Sequence, residues 1–226
     1  MDIQSWEGIG SSVEIEMTTA AEAAVLTKKL EQYEGNIEHM YLDGEGNVTI
    51  GVGHLIPDAS HAAGLTLYMR KTGVPATDDQ KKSEYESVVK EQRKPAAWYR
   101  SKTTLFIKPA DVEALTNEHL RSFENELKNL YNGTAFPPGF DKLPEPVRLA
   151  LFDMIFNLGA TRLKREFPKL NRAIANGDWN AAASECNRPQ VQVARNNYVK
   201  GLFQAAADAQ KASAPAAPSK GTINVP

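Results

Sequence analysis

The stretch Val147–Gly159, VRLALFDMIFNLG, constrains the fold more than any other part of the chain. Drawn as a helix it is apolar on nearly every side, so it leaves no broad face for water and has to be enclosed by other elements. Pro144 or Pro146 gives it a start, and Gly159 stands at the C′ position as its stop. The rest of the sequence supplies enclosing helices. Thr18 or Thr19 can cap a helix running through Tyr33, with Ala24, Val25 and Leu30 at helical spacing. Pro109 opens a long one, ADVEALTNEHLRSFENELKNLY, stopped by Asn132-Gly133 ahead of a Pro137-Pro138-Gly139 loop. Further helices are predicted over Pro168–Asn176, Asp178–Cys186 with Asp178 as cap, and Val191–Lys211.

Period-two patterning is concentrated in one place. Met40–Leu42 and Val48–Val52 read as strands joined by Asp43-Gly44-Glu45-Gly46-Asn47, which is dense in turn formers. Gly51 and Gly53 at the end of the second strand predict a close backbone approach. Residues 57–107 carry weak helical patterns at His61–Lys71 and Asp78–Lys94, parted by Thr72-Gly73-Val74-Pro75. The sum is an α+β fold, mostly helical with one small antiparallel sheet. Residues 1–17 read as an extension, 18–211 as one domain, and the Ala/Pro/Ser-rich 212–226 as a tail or linker.

Composition excludes several classes. The single Cys186 rules out an internal disulfide framework, and within a helical pattern it reads as a small buried thiol. No run approaches 18 apolar residues, so no membrane insertion is expected. The start of the chain has neither a basic region nor an apolar run, so it does not read as a secretory leader. The expectation is a protein made in the cytoplasm and carried to its target by other machinery. Residues 1–141 hold 14 Lys+Arg against 22 Asp+Glu, whereas 142–226 hold 12 against 6. The basic cluster Arg162, Lys164, Arg165, Lys169 and Arg172 suits an anionic partner. It lacks the interleaved aromatics of a single-strand binder, which argues against nucleic acid. His39, His61 and His119 show no ligand-like spacing and no Cys/His cluster exists, so neither metal nor cofactor is expected.

The chemistry-bearing residues are Glu34, Asp43 and Thr49. A carboxylate closes the first helix, a second opens the turn, and a hydroxyl sits on the following strand. Two carboxyls across a gap suit acid-catalysed glycosidic cleavage, one protonating the leaving oxygen and one supporting the opposite face of the sugar. Partial burial of Glu34 in a cleft would keep it protonated as the acid. Glu38, four residues on, is expected to be exposed and uninvolved.

Glu, eight residues, Asp, five residues, Thr, followed by TIGVGH, resembles the active-site hairpin of the phage-type lysozymes, glycoside hydrolase family 24. Ile107–Tyr131 resembles the long helix between the two lobes of that family. MIFNLG resembles the end of its central helix, and GDWNAAA with VARNNYVKGLF its closing helices, Trp179 and Arg195 standing at comparable places. The likeness covers roughly residues 19–210, apart from 57–106, which is longer than its counterpart in the compact phage enzymes. It implies a sheet-bearing N-terminal lobe, a helical C-terminal lobe and a muramidase that cuts the β-1,4 bond between N-acetylmuramic acid and N-acetylglucosamine. It also implies Glu34 as acid, with Asp43 and Thr49 holding the attacking water, hence inversion. Leu55, Phe156 and Asn157 match glycan-touching positions, while Leu170 and Glu185 depart from two others. His54 is expected to be structural, near the site and paired with a carboxylate. Residues 57–106 are expected beside the cleft and outside the shared core, shaping access or docking an inhibitor protein. The implied partners are peptidoglycan strands, met by a monomer. An immunity protein or secretion machinery would join them if the chain is an exported toxin, and holin lesions would release it if it is an endolysin. The competing reading is a non-catalytic module binding peptidoglycan or a protein, which has no need of an acid opposite a water-holding Asp and Thr.

Overall fold

The computed structural model describes residues 20–132 and 139–213. Residues 1–17 and 214–226, the capping Thr18 and Thr19, and most of the Pro137-Pro138 loop lie outside the described residues. In chain order the elements are α1 (Ala20–Glu34), β1 (Ile37–Leu42), β2 (Val48–Gly51), β3 (His54–Leu55), α2 (Ala59–Gly64), β4 (Tyr68–Met69), α3 (Asp78–Val89), α4 (Ala96–Tyr99) and β5 (Leu105–Phe106). There follow α5 (Pro109–Tyr131), a short 3-10 turn (Phe140–Lys142), α6 (Glu145–Glu166), α7 (Pro168–Ala175), α8 (Trp179–Glu185) and α9 (Val193–Ser213). This is the expected α+β, lysozyme-like arrangement: a small antiparallel sheet near the N-terminus, a long helix after it, and helices throughout the second half.

The apolar stretch behaves as its composition demands. Val147, Ala150, Leu151, Met154 and Ile155 are fully buried, with α6 lying against α1, α5, α7 and α9. Gly159 takes φ 70° and ψ 159°, so the apolar helix ends there and a second helical segment starts at a kink. Asp178 caps α8 by accepting from the Ala181 N–H at 2.9 Å. Cys186 is a buried free thiol whose pKa burial pushes up.

The sheet has the order β1-β2-β3, with Tyr41 opposite Thr49 and Thr49 opposite Leu55. Residues 57–106 need a correction. They belong to the core: Leu67, Val88 and Leu105 are buried in it, and Tyr99 is 0% exposed. α3 and α4 pack on β1, so this section backs the sheet. Its first predicted helix, His61–Lys71, is cut to Ala59–Gly64 because Tyr68–Met69 pairs with Leu105–Phe106 as a second, two-stranded sheet. That long-range pairing overrides a weak local preference. The buried Glu84 carboxylate fastens the segment by accepting from the Thr104 hydroxyl and the Leu105 N–H. Glu38 is also corrected. It is half-buried and ion-paired with Arg70 at 2.6 Å and Arg100 at 2.7 Å, and the Arg70 hydrogen bond holds its pKa below the usual carboxylate range.

Candidate active site

Glu34 is the last residue of α1, and Gly35 follows with φ 78°, its N–H closing the helix on the Glu31 carbonyl. The Glu34 side chain is 29% exposed, and its Oε1 accepts from Arg195 Nη1 at 2.6 Å. It is therefore partly buried, as expected, and has a buried cation as its immediate partner. Arg195 in turn donates through Nε to Asp153 at 2.9 Å, and Arg188 Nη2 approaches the other Asp153 oxygen at 2.8 Å. Arg195, Asp153 and Arg188 are all buried. The Arg195 guanidinium is flanked by two aromatic rings, with its centre 5.0 Å from the Tyr33 centroid and 5.9 Å from that of Phe156.

Gly53 shows why a glycine follows the second strand. It has φ 66°, and a Cβ added there would meet Phe156 Cζ at 3.3 Å and Glu34 Cγ at 3.4 Å. Glu34, Phe156 and the Gly53 backbone thus converge on one point. Phe156 also meets Phe123 of α5 edge-on, centroids 5.7 Å apart.

Asp43 closes its own turn: Oδ1 accepts from the Glu45 N–H at 2.9 Å and the Asn47 N–H at 2.8 Å, and Oδ2 from Asn47 Nδ2 at 3.3 Å. It is an Asx-turn residue, and the turn fixes its carboxylate in place. Thr49 is buried and donates its hydroxyl to the Asn47 carbonyl at 3.2 Å. Asn47 therefore joins the two, a contact that the spacing of Asp43 and Thr49 did not reveal. Tyr41, opposite Thr49 and sharing its face, has its phenol pushed up to about 12, first by burial and then by the charges of Glu34 and Asp43. One phenol thus feels both carboxyls.

Leu55 lies on β3 beside Thr49 and is 48% exposed, so its apolar side chain is open to a ligand. Asn157 follows Phe156 and buries an Oδ1 with no hydrogen-bond partner. His54 is near the site, but its partner is not a carboxylate. His54 Nδ1 meets His119 Nε2 of α5 at 2.7 Å, the rings stacked 4.5 Å apart. One nitrogen of the pair donates and the other accepts. Burial, then His119 and His61, push the His54 pKa down to about 4, and burial lowers that of His119. His119 carried no signal because only the tertiary fold brings α5 to β3. His39 bonds the Ala96 carbonyl at 2.9 Å. No group of three or more His, Cys, Asp or Glu is placed to hold a metal among the described residues.

A hollow of about 880 Å³ lies between α1 and α5, lined by Ala23, Thr27, Val112, Thr116 and Leu120 among others. None of the candidate residues lines it, so its volume does not mark the chemistry. Arg195, Asp153 and Arg188 form the ion-paired row behind Glu34 that sequence reasoning missed. Arg195 stood only as a matching position in the closing helix, and nothing local tied it to Glu34.

Comparison with known proteins agrees with this fold. The chain is 26% identical over 182 residues to "Probable T4-type lysozyme 2" of Dictyostelium discoideum, covering 79% of this chain and 93% of that protein. The model of the phage lysozyme family matches residues 31–208, a span that takes in Glu34, the hairpin, the long α5 and the ionic network reaching back from α9. By that match over most of its length, the chain belongs to the phage lysozyme family.

Proposed function

We propose that this chain is a muramidase that hydrolyses the β-1,4 bond between N-acetylmuramic acid and N-acetylglucosamine in peptidoglycan. The observation that carries the reading is the match of the phage lysozyme family model over residues 31–208, a span that takes in Glu34, Asp43 and Thr49. Glu34 protonates the leaving oxygen. Asp43, with its turn closed by Asn47, and Thr49 on the adjoining strand hold the water that attacks from the opposite face. Attack by a held water gives inversion at the anomeric carbon. Leu55 offers an apolar surface to the sugar ring, and Asn157, next after Phe156 on α6, is the amide that would meet an acetamido group. Phe156 packs beneath, holding Gly53 and Glu34 in register. The chain acts as a monomer on glycan strands, after release through a holin lesion or export by a secretion system.

Digestion of purified peptidoglycan, followed by NMR of the fresh reducing ends, tests the reading. The expected product is the α-anomer, formed before mutarotation. An initial β-anomer would contradict the held water, and no new reducing ends at all would leave the non-catalytic binding module as the better account.

A further inference from the structure

Arg195 is shared between two carboxylates, and only one of them faces the site. Its Nη1 lies 2.6 Å from Glu34 and its Nε 2.9 Å from Asp153. Asp153 is 2% exposed and Arg188, on its far side, is 0% exposed, so neither can touch a glycan. Arg188 is held independently of the site: its N–H and Nε reach Asn196 Oδ1 at 3.1 and 3.3 Å, and Asn196 Nδ2 returns to the Arg188 carbonyl at 2.8 Å. Four formal charges therefore stand in the order Glu34, Arg195, Asp153, Arg188, alternating in sign. Arg195 is flanked by the Tyr33 and Phe156 rings, which limits how far it can follow one partner and leave the other. The other titratable or charged groups acting on the row or on its phenols are the phenols of Tyr33, Tyr41 and Tyr198, the Cys186 thiol on Arg188, Asp43 on Tyr41, and Lys29 over the Tyr198 ring. Burial pushes each phenol up, those of Tyr41 and Tyr198 to about 12, so the phenols stay neutral where a lysozyme works.

A cation this close to a general acid favours the carboxylate, the form that cannot donate a proton. A second anion on the other side of the same cation opposes that effect, and a second cation beyond it restrains the opposition. Such an alternating row is poor evidence for stability, since buried ion pairs cost desolvation on both partners. We propose that Asp153 and Arg188 are positioning residues that set, through Arg195, the pH range in which Glu34 donates its proton. This rests on Glu34 being the acid.

The two positioning residues should then act in opposite directions. In Asp153→Asn the two arginines are unopposed, and the alkaline limb of the kcat–pH profile on purified peptidoglycan should move down by about one pH unit. In Arg188→Met, Asp153 draws more fully on Arg195, and the limb should move up by a similar amount. Arg188→Lys keeps the charge and should return the limb to the wild-type position, and KM should change by less than about twofold throughout. Either single change strips a partner from a buried charge and threatens folding, so the Asp153→Asn/Arg188→Met double variant provides a second route. Asp153 touches Arg195 and Arg188 does not, so the double variant's limb should lie between those of Asp153→Asn and the wild type. Limbs that stay at the wild-type pH while only the rate falls, or a double variant at or above the wild-type limb, would overturn the proposal. Glu34→Gln separates the two levels of inference. If it remains active, Glu34 is not the acid and both fail. If it is dead while the limbs do not move, only the role of Asp153 and Arg188 fails.

Discussion

On the sheet side of the site, the groups that hold Asp43 and Thr49 come from the turn itself: the N–H groups of Glu45 and Asn47, the Asn47 side chain and the Asn47 carbonyl. On the helical side Glu34 is gripped by Arg195, 161 residues away, and through it by Asp153 and Arg188. The first arrangement is neutral donors and acceptors in a short loop, cheap in entropy to close. The second is a buried row of charges that only a finished core can assemble. The candidate site therefore pairs a carboxylate placed by local turn geometry with one placed by long-range electrostatics. Each half should respond differently to damage.

The largest effect should come from the sheet side's hidden support. Tyr99 is fully buried, its hydroxyl donating to the Gln92 carbonyl, in the section that packs behind β1. Tyr99→Ala should cost about 3–5 kcal/mol of unfolding free energy, as for large aromatic truncations in a core. A loss below about 1 kcal/mol in a denaturant titration would show that the sheet side stands without residues 57–106. Glu34→Gln comes next and should separate chemistry from stability. It removes the titrating proton, so lytic rate should fall at least about a hundredfold, or about 2.7 kcal/mol of transition-state stabilisation, with thermal stability equal or higher. A folded variant that clears cell walls at nearly the wild-type rate would remove the acid from the helical side altogether.

The seam between the two sides is the His54–His119 pair, joining β3 to α5. His54 titrates near 4 in the folded state, below the ordinary imidazole value of 6.5, so between those limits the unfolded chain binds more protons than the folded one. Stability from this group is present in full above about pH 6.5 and is lost as pH falls toward 4, about 2 kcal/mol of it between pH 7 and pH 5. His119 acts in the same direction. Chemical denaturation at the two pH values should show the loss in the wild type and much less of it in His54→Gln/His119→Gln; equal slopes would mean that the seam does not titrate. The smallest effect should be that of Thr49→Ser, which keeps the hydroxyl that donates to Asn47 and should retain activity within about tenfold of the wild type. A loss as deep as that of Glu34→Gln would mean that the Thr49 methyl, rather than its hydroxyl, is what the site requires.

Much of this protein was legible before folding, and the boundary follows contact range. The apolar run Val147–Leu158 announced a buried helix, Gly159 its end, Pro109 and Asp178 helix starts, and the Asp43–Asn47 turn a hairpin, because each depends on residues a few positions apart. Gly53 promised a close approach and makes one, against Glu34 and Phe156. The weak patterns of residues 57–106 misled, because the β4–β5 pairing and the burial of Tyr99 and Leu105 are decided by distant partners.

The sequence by itself determined the fold class, the hairpin and the spacing that puts two carboxyls and a hydroxyl on adjoining elements. Hydrophobic period and turn chemistry are local properties of a chain. Only the tertiary structure decided that Glu34 would meet Arg195, that Asp153 and Arg188 would stand behind it, and that His54 would find an imidazole instead of a carboxylate. Charges and rings pair across any sequence distance once packing brings their elements together, and no local pattern records which pairs those will be.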